Sequence, residues 1–219
     1  MTDDLMTLRD KIVEAALPHV PFDGWTPRAA RRAAADLGLT QADATRAFPY
    51  GAADMVAHYS DLADRRMLAE LDRRGIGTMK IRERIATAVR VRLEQAAPHR
   101  EAVRRALAVL ALPYNAVLGG KCLYRTVDAM WVAAGDTSTD WNFYSKRSLL
   151  AGVYSSTLLC WLDDRSDGLT DTWAFLDRRI ADVMRIPKLT GHVRSLVDRL
   201  PNPARFCRPG ARYSPRTGV

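Results

Sequence analysis

Gly24-Trp25-Thr26-Pro27-Arg28-Ala29-Ala30-Arg31-Arg32-Ala33-Ala34-Ala35-Asp36-Leu37-Gly38-Leu39-Thr40-Gln41-Ala42-Asp43-Ala44-Thr45-Arg46-Ala47-Phe48-Pro49 is the stretch that decides the fold. Thr26 and Thr40 are natural N-caps, because a hydroxyl at that position accepts from an otherwise orphaned helical N–H. Gly38 interrupts the helical pattern between them, and Pro49-Tyr50-Gly51 interrupts it again before a longer segment. With Leu5, Leu8, Ile12 and Ala15-Ala16 turned toward a core, residues 5–60 read as a helix-turn-helix module.

Outward from this stretch, apolar residues recur at three- and four-residue spacing and no run alternates β-branched with polar residues, so the chain is expected to be all-α. About ten helices are expected, near 4–17, 26–37, 40–47, 51–74, 79–96, 99–111, 114–134, 142–165, 170–185 and 189–200. They divide into a helix-turn-helix module (1–60), a helical ligand domain (61–185) and an amphipathic helix (186–200). The tail 201–219 has four prolines, two glycines and four arginines with little periodic apolar content, and is expected to be disordered.

The formal net charge of +8 is uneven: residues 186–219 hold seven Lys/Arg and one acid, a net of +6, leaving +2 for the rest. Such an excess meets nucleic acid or anionic lipid, whichever the carboxyl-terminal segment reaches. Cys122, Cys160 and Cys207 are odd in number and widely spaced, which fits reduced thiols better than a secreted disulfide framework. The start, MTDDLMTLRD, is acidic where a leader carries positive charge, and no apolar run approaches the roughly 20 residues that span a bilayer. An intracellular protein is expected.

The amino-terminal module resembles the DNA-binding domain of TetR-family repressors: an alanine-rich helix, a Gly turn, a short recognition helix, and a segment like Phe48-Pro49 before the long fourth helix. A reader of DNA presents cations and amides to phosphates and base edges. Gln41-Ala42-Asp43-Ala44-Thr45-Arg46 offers one base and one acid, and Arg28, Arg31 and Arg32 read as a solvated face. No nucleic-acid partner is expected.

The second informative stretch is Asp136-Thr137-Ser138-Thr139-Asp140-Trp141-Asn142-Phe143-Tyr144-Ser145-Lys146-Arg147, followed by an apolar helix. It resembles the lipid-binding accessory family of ubiquinone biosynthesis, and the likeness extends over the folded chain. The resemblance implies a TetR-like fold, an isoprenoid quinone intermediate or phospholipid as ligand, and demethoxyubiquinone hydroxylase as partner. It also implies a peripheral place at the inner membrane of an alphaproteobacterium, or on the matrix side of a mitochondrion.

By position, Asp140, Asn142, Phe143, Tyr144 and Arg147 correspond to the family's partner-facing block, with Phe143 where many members carry Trp. Read from the residues alone, Asp140 caps a helix and Trp141 and Tyr144 pack on a neighbour, or the aromatics beside Lys146 and Arg147 form an exposed anchor. Leu149, Leu150, Val153, Tyr154, Leu158 and Trp161 form an apolar stripe, faced by Leu107, Leu110, Leu118, Tyr124 and Trp131. Spacing favours a filled core; the resemblance implies that this set lines a lipid cavity, and Gly119, Gly120 and Gly152 hint at space.

In the last helix Leu189, Val193, Leu196, Val197 and Leu200 share a side, with Arg194 and Arg199 elsewhere. Such a helix docks on protein or lies in an anionic membrane interface; the basic tail and the resemblance favour the membrane.

His19, His58, His99 and His192 are scattered without metal-ligand spacing, and no phosphate-binding, nucleophile-elbow or Cys–His pattern occurs. No cofactor, metal or catalytic residue is expected. The sequence thus reads as a non-enzymatic, homodimeric lipid-presenting protein; its rival is a ligand-responsive DNA-binding regulator of TetR type.

Overall fold

The computed structural model describes the backbone of residues 2–136 and 141–197 and the side chains of residues 4–136 and 145–183. Ten α-helices and no strand occur among the described residues: α1 (Thr2–Ala16), α2 (Val20–Asp23), α3 (Pro27–Asp36), α4 (Gln41–Ala47), α5 (Ala52–Arg74), α6 (Ile81–Ala96), α7 (Arg100–Leu110), α8 (Ala116–Ala133), α9 (Trp141–Asp163) and α10 (Thr170–Val197). The total matches the expected ten by a different partition. The one-turn α2 was not foreseen, and the last two expected helices are one, since α10 runs through the position of Pro187. A proline removes one N–H and bends a helix without ending it when the flanking residues continue the pattern.

The opening module forms as its caps dictate. The Thr26 hydroxyl accepts from the Ala29 N–H at 3.3 Å, with Pro27 in the first turn. Gly38 takes a left-handed φ of +68° after α3, which a side chain would resist, and the Leu39 N–H then bonds the Ala34 carbonyl at 2.8 Å. Thr40 and Asp43 form a reciprocal capping box at the start of α4. Ala29, Ala30, Ala33 and Ala34 are buried, and their small side chains let α3 lie close against α1.

Among the described residues, those up to Ile180 pack as one unit, and those from Ala181 to Val197 belong to a second. The expected module boundary at residue 60 falls inside α5, which packs on α1 as well as on α6, α7 and α8. Trp25 adds a tie, donating its indole N–H to the Ala102 carbonyl of α7 at 2.9 Å and stacking at 5.2 Å on Tyr59 of α5. No single helix among the described residues is long and apolar enough to cross a membrane.

The α1–α5 seam is polar and pH-sensitive. His58 is buried with Nε2 2.7 Å from Asp10, and its ring meets Phe48 edge-on at 5.8 Å. Burial pushes the His58 pKa down, Asp10 opposes this, and Arg9 reinforces it; the net is a value below the ordinary one. The folded protein therefore holds His58 neutral, while the unfolded chain binds a proton below about pH 6.5. Stability is unaffected above that value and falls as the pH drops through it. His99 is also pushed down, by burial and then by Arg66, with the same sign. Asp10 is lowered, burial being outweighed by Arg65 and His58, so its contribution is lost only at more acid pH. Thermal unfolding is expected at a lower temperature near pH 5.5 than near pH 7.5, and His58→Gln should retain only the His99 share of that difference. An equal pH slope in both proteins would exclude His58 as the cause.

Candidate functional site

A cleft of about 360 Å³ opens among α5, α6, α7, α8 and α9. Val103, Ala106, Leu107 and Leu110 of α7 form one wall, Gly119, Cys122 and Leu123 of α8 a second, and Tyr154, Ser155, Leu158 and Leu159 of α9 a third. Gly119 permits the approach of α7 to α8, since a Cβ there would stand 3.3 Å from the Leu110 carbonyl oxygen. The rim is apolar: Leu159 is 61% exposed, and Leu107 and Leu110 are half-buried.

Leu107, Leu110, Tyr154 and Leu158, expected from the sequence, thus come together around one cleft. The other residues of that expected set lie elsewhere. Leu150, Val153 and Trp161 are buried in the packed core, with Trp161 fully enclosed beneath the Arg100 guanidinium at 4.9 Å from the ring centre. Leu118 and Leu149 are half-buried outside the cleft. Tyr124 is exposed on a separate shallow hollow with Gly120 and Ala151. Trp131 donates its indole N–H to the Lys146 carbonyl at 3.1 Å. The physical reason is helical geometry: positions 150, 153, 157 and 161 form one face of α9 and positions 154, 155, 158 and 159 the next, so one apolar stripe serves core and cleft separately. Gly120 and Gly152 face open space and do not belong to the cleft.

At the inner end the cleft becomes polar, which the sequence reading missed. Asp64 of α5 is 3% exposed, with Oδ1 3.1 Å from Arg92 Nε and 2.9 Å from the Thr126 hydroxyl, and Oδ2 3.2 Å from Arg125 Nε. Arg125 also donates to the Ala57 carbonyl at 3.2 Å and lies 3.7 Å from Asp61. Arg92, Thr126, Tyr59 and Tyr154 face the cleft. Burial opposes the Arg92 charge, but Tyr154, Asp64 and Tyr59 outweigh it and hold its pKa above the ordinary value. Burial raises both phenols, so Tyr59 and Tyr154 keep their protons. The signal was present: Arg92 interrupts the buried α6 face of Ala88, Val89, Leu93 and Ala96, and Asp64 interrupts that of Met67 and Leu71 on α5.

The block that the resemblance implies would face a partner lies only partly among the described residues. Asp140 lies outside the described residues, and so do the side chains of Asn142, Phe143 and Tyr144. Arg147 is not at the surface: it is 4% exposed and pairs with Asp128 at 2.6 Å and Asp136 at 3.4 Å. Lys146 binds Asp136 at 2.8 Å and sits 5.6 Å from the Trp131 ring centre. A guanidinium that deep persists only with carboxylates around it, so Arg147 anchors the start of α9 to the end of α8. The side chains of Leu189, Val193, Arg194, Leu196 and Val197, and the whole of Arg199, Leu200 and the tail 201–219, lie outside the described residues.

On the α3–α4 surface Arg31 is exposed, and the other cations lie beside carboxylates. Arg28 and Arg32 both pair with Asp23, and Arg46 pairs with Asp43, which is already engaged in the Thr40 box.

The family model described as COQ9 matches residues 116–187, which span α8, α9 and most of α10. The mitochondrial ubiquinone biosynthesis protein COQ9 of Rattus norvegicus is 35% identical over 200 residues, covering 88% of this chain and 64% of that protein. The Homo sapiens protein of the same name is 34% identical over 200 residues, covering 88% and 63%. The chain is thus similar to COQ9 proteins along most of its length. It spans slightly less than two thirds of the length of these relatives. The crystal structure of the TetR transcriptional regulator from Nitrosomonas europaea superposes with a TM-score of 0.66 at 24% identity, covering 81% of this chain and 98% of that one. That likeness establishes the TetR-like all-α fold expected from the Thr26–Pro49 stretch. The matched COQ9 region supplies the α8 and α9 walls of the cleft.

Proposed function

We infer that this COQ9-like chain is a non-catalytic accessory protein of ubiquinone biosynthesis that shelters an isoprenoid quinone intermediate and presents it to demethoxyubiquinone hydroxylase. The observation that carries this reading is the cleft, whose volume of about 360 Å³ falls within the ~300–1,000 Å³ typical of small-molecule sites. Its walls are aliphatic, and its rim leaves Leu159 facing outward. It is too small for a whole long prenyl chain, so part of the chain stays outside, against the rim or the membrane. Uptake exchanges one apolar environment for another and is therefore nearly balanced, as a carrier requires.

In this reading the amphipathic segment 186–200 meets anionic lipid, and Asp140, Asn142, Phe143 and Tyr144 dock the hydroxylase, with Arg147 holding that turn in place. The regulator alternative draws on the shared TetR-like fold and on the cations of α3; Asp43, which pairs with Arg46 on α4 and would lie near phosphates, weighs against it.

Organic extraction of the purified protein followed by mass spectrometry tests the carrier reading. A prenylated quinone or phospholipid is expected in wild type. Ala106→Phe, which places a ring in the cleft, should reduce it by about tenfold or more while the melting temperature changes little. Equal lipid content in a folded A106F variant would overturn the assignment of this cleft. Truncation at Lys188 should reduce co-sedimentation with phosphatidylglycerol liposomes, and more so at low salt. Equal recovery would remove the last helix from the mechanism.

A further inference from the structure

The polar end of the cleft is built for something that aliphatic walls do not require. Arg92 is only 7% exposed, yet among the described residues its one hydrogen bond is from Nε to Asp64, and Nη1 and Nη2 have no partner there. These nitrogens are not sealed in protein, since they are absent from the enclosed unpaired atoms while the residue lines the cleft. Tyr59 and Tyr154, 8% and 6% exposed, line the same end, and their hydroxyls have no partner among the described residues either. Three nearly buried side chains thus offer donors to one cleft. Water reaching the cleft meets these donors, and a ligand that carries matching acceptors at those places can take its position.

Charge decides what kind of ligand. Arg92 and Arg125 are matched by Asp64 and Asp61, so the floor carries directional donors without a net positive excess. A phosphate needs unneutralised cations; a neutral ring bearing carbonyl and ether oxygens needs only donors.

We propose that Arg92, Tyr59 and Tyr154 form a headgroup site that receives the oxygen atoms of a prenylated benzoquinone entering ring first, with its chain directed past Leu107, Leu110 and Leu159. This rests on the carrier reading of the cleft and adds its polarity: the ring is hidden at the floor and the chain leads out. Release to an enzyme then withdraws the chain end first, and the ring emerges last.

The test uses the full chain and three probes titrated by calorimetry: decylubiquinone, decylbenzene, and a lysophosphatidylglycerol with a chain of similar length. Wild type should bind decylubiquinone several-fold more tightly than decylbenzene. Tyr59→Phe/Tyr154→Phe keeps the rings and removes both hydroxyls; it should weaken decylubiquinone by about tenfold and decylbenzene by less than about twofold. Arg92→Lys keeps the charge beside Asp64 and loses the fork, and should weaken the quinone alone. Should the double variant not fold, the single Phe variants give the same comparison at smaller amplitude. Equal losses for quinone and decylbenzene would overturn the headgroup site while leaving the cleft as a lipid site. A loss confined to the lysophospholipid would replace it with a phosphate site, and no binding of any probe by wild type would sink the carrier reading itself.

Discussion

Replacing Asp64 with Ala is expected to lower the free energy of unfolding by about 3–5 kcal/mol, toward the lower end because the cleft lets water reach the Arg92 terminal nitrogens. The carboxylate takes bonds from Arg92, Arg125 and Thr126, and its removal leaves Arg92 charged and enclosed with no counterion in contact. The loss is asymmetric, since deleting both members of a buried pair is far less harmful than deleting one. Asp64→Ala/Arg92→Leu should therefore recover much of the stability that Asp64→Ala loses, although it removes a proposed headgroup donor. Urea titrations followed by circular dichroism separate the two; a single variant within about 1 kcal/mol of wild type would show that Asp64 does not hold this end together.

Trp161→Ala is the second large effect, about 3–5 kcal/mol, because an indole with no exposed surface leaves a cavity that its neighbours fill only in part. Trp161→Phe should cost about 1 kcal/mol or less, since the Trp161 N–H is buried with no hydrogen-bond partner among the described residues and its loss strands nothing. The Arg100 guanidinium keeps an aromatic face in that variant. The pair distinguishes the two places the sequence left open for this residue. A core residue changes thermal stability and leaves decylubiquinone affinity nearly unaltered, whereas a cleft residue does the reverse.

The opening module was legible because its signals are local. Thr26, Gly38 and Thr40 each act on the backbone within four residues, and each does so where expected. The cleft was half legible. Leu107, Leu110, Tyr154 and Leu158 carry a period that places them inward, but which inward side chains meet and which leave room depends on partners distant in sequence. Trp161 and Leu150 have the same period and lie in solid packing. Arg147 shows the same limit, because its burial depends on Asp128 and Asp136, 19 and 11 residues away. The pairing of Arg92 with Asp64, 28 residues apart on two different helices, leaves no trace in local spacing. A charge that falls on an otherwise apolar helical face is the cue that would have found each member.

The clasp of Asp136 with Lys146 and Arg147 has a consequence for which substitutions the chain tolerates. Asp136 on one side of residues 137–145 is paired with Lys146 and Arg147 on the other, so the contacts that bring these two points together are made by side chains outside that span. Doubling the length of such a span adds only about 0.6 kcal/mol of closure entropy. Exchanging the residues of that span is thereby expected to leave the stability of the bundle nearly unchanged.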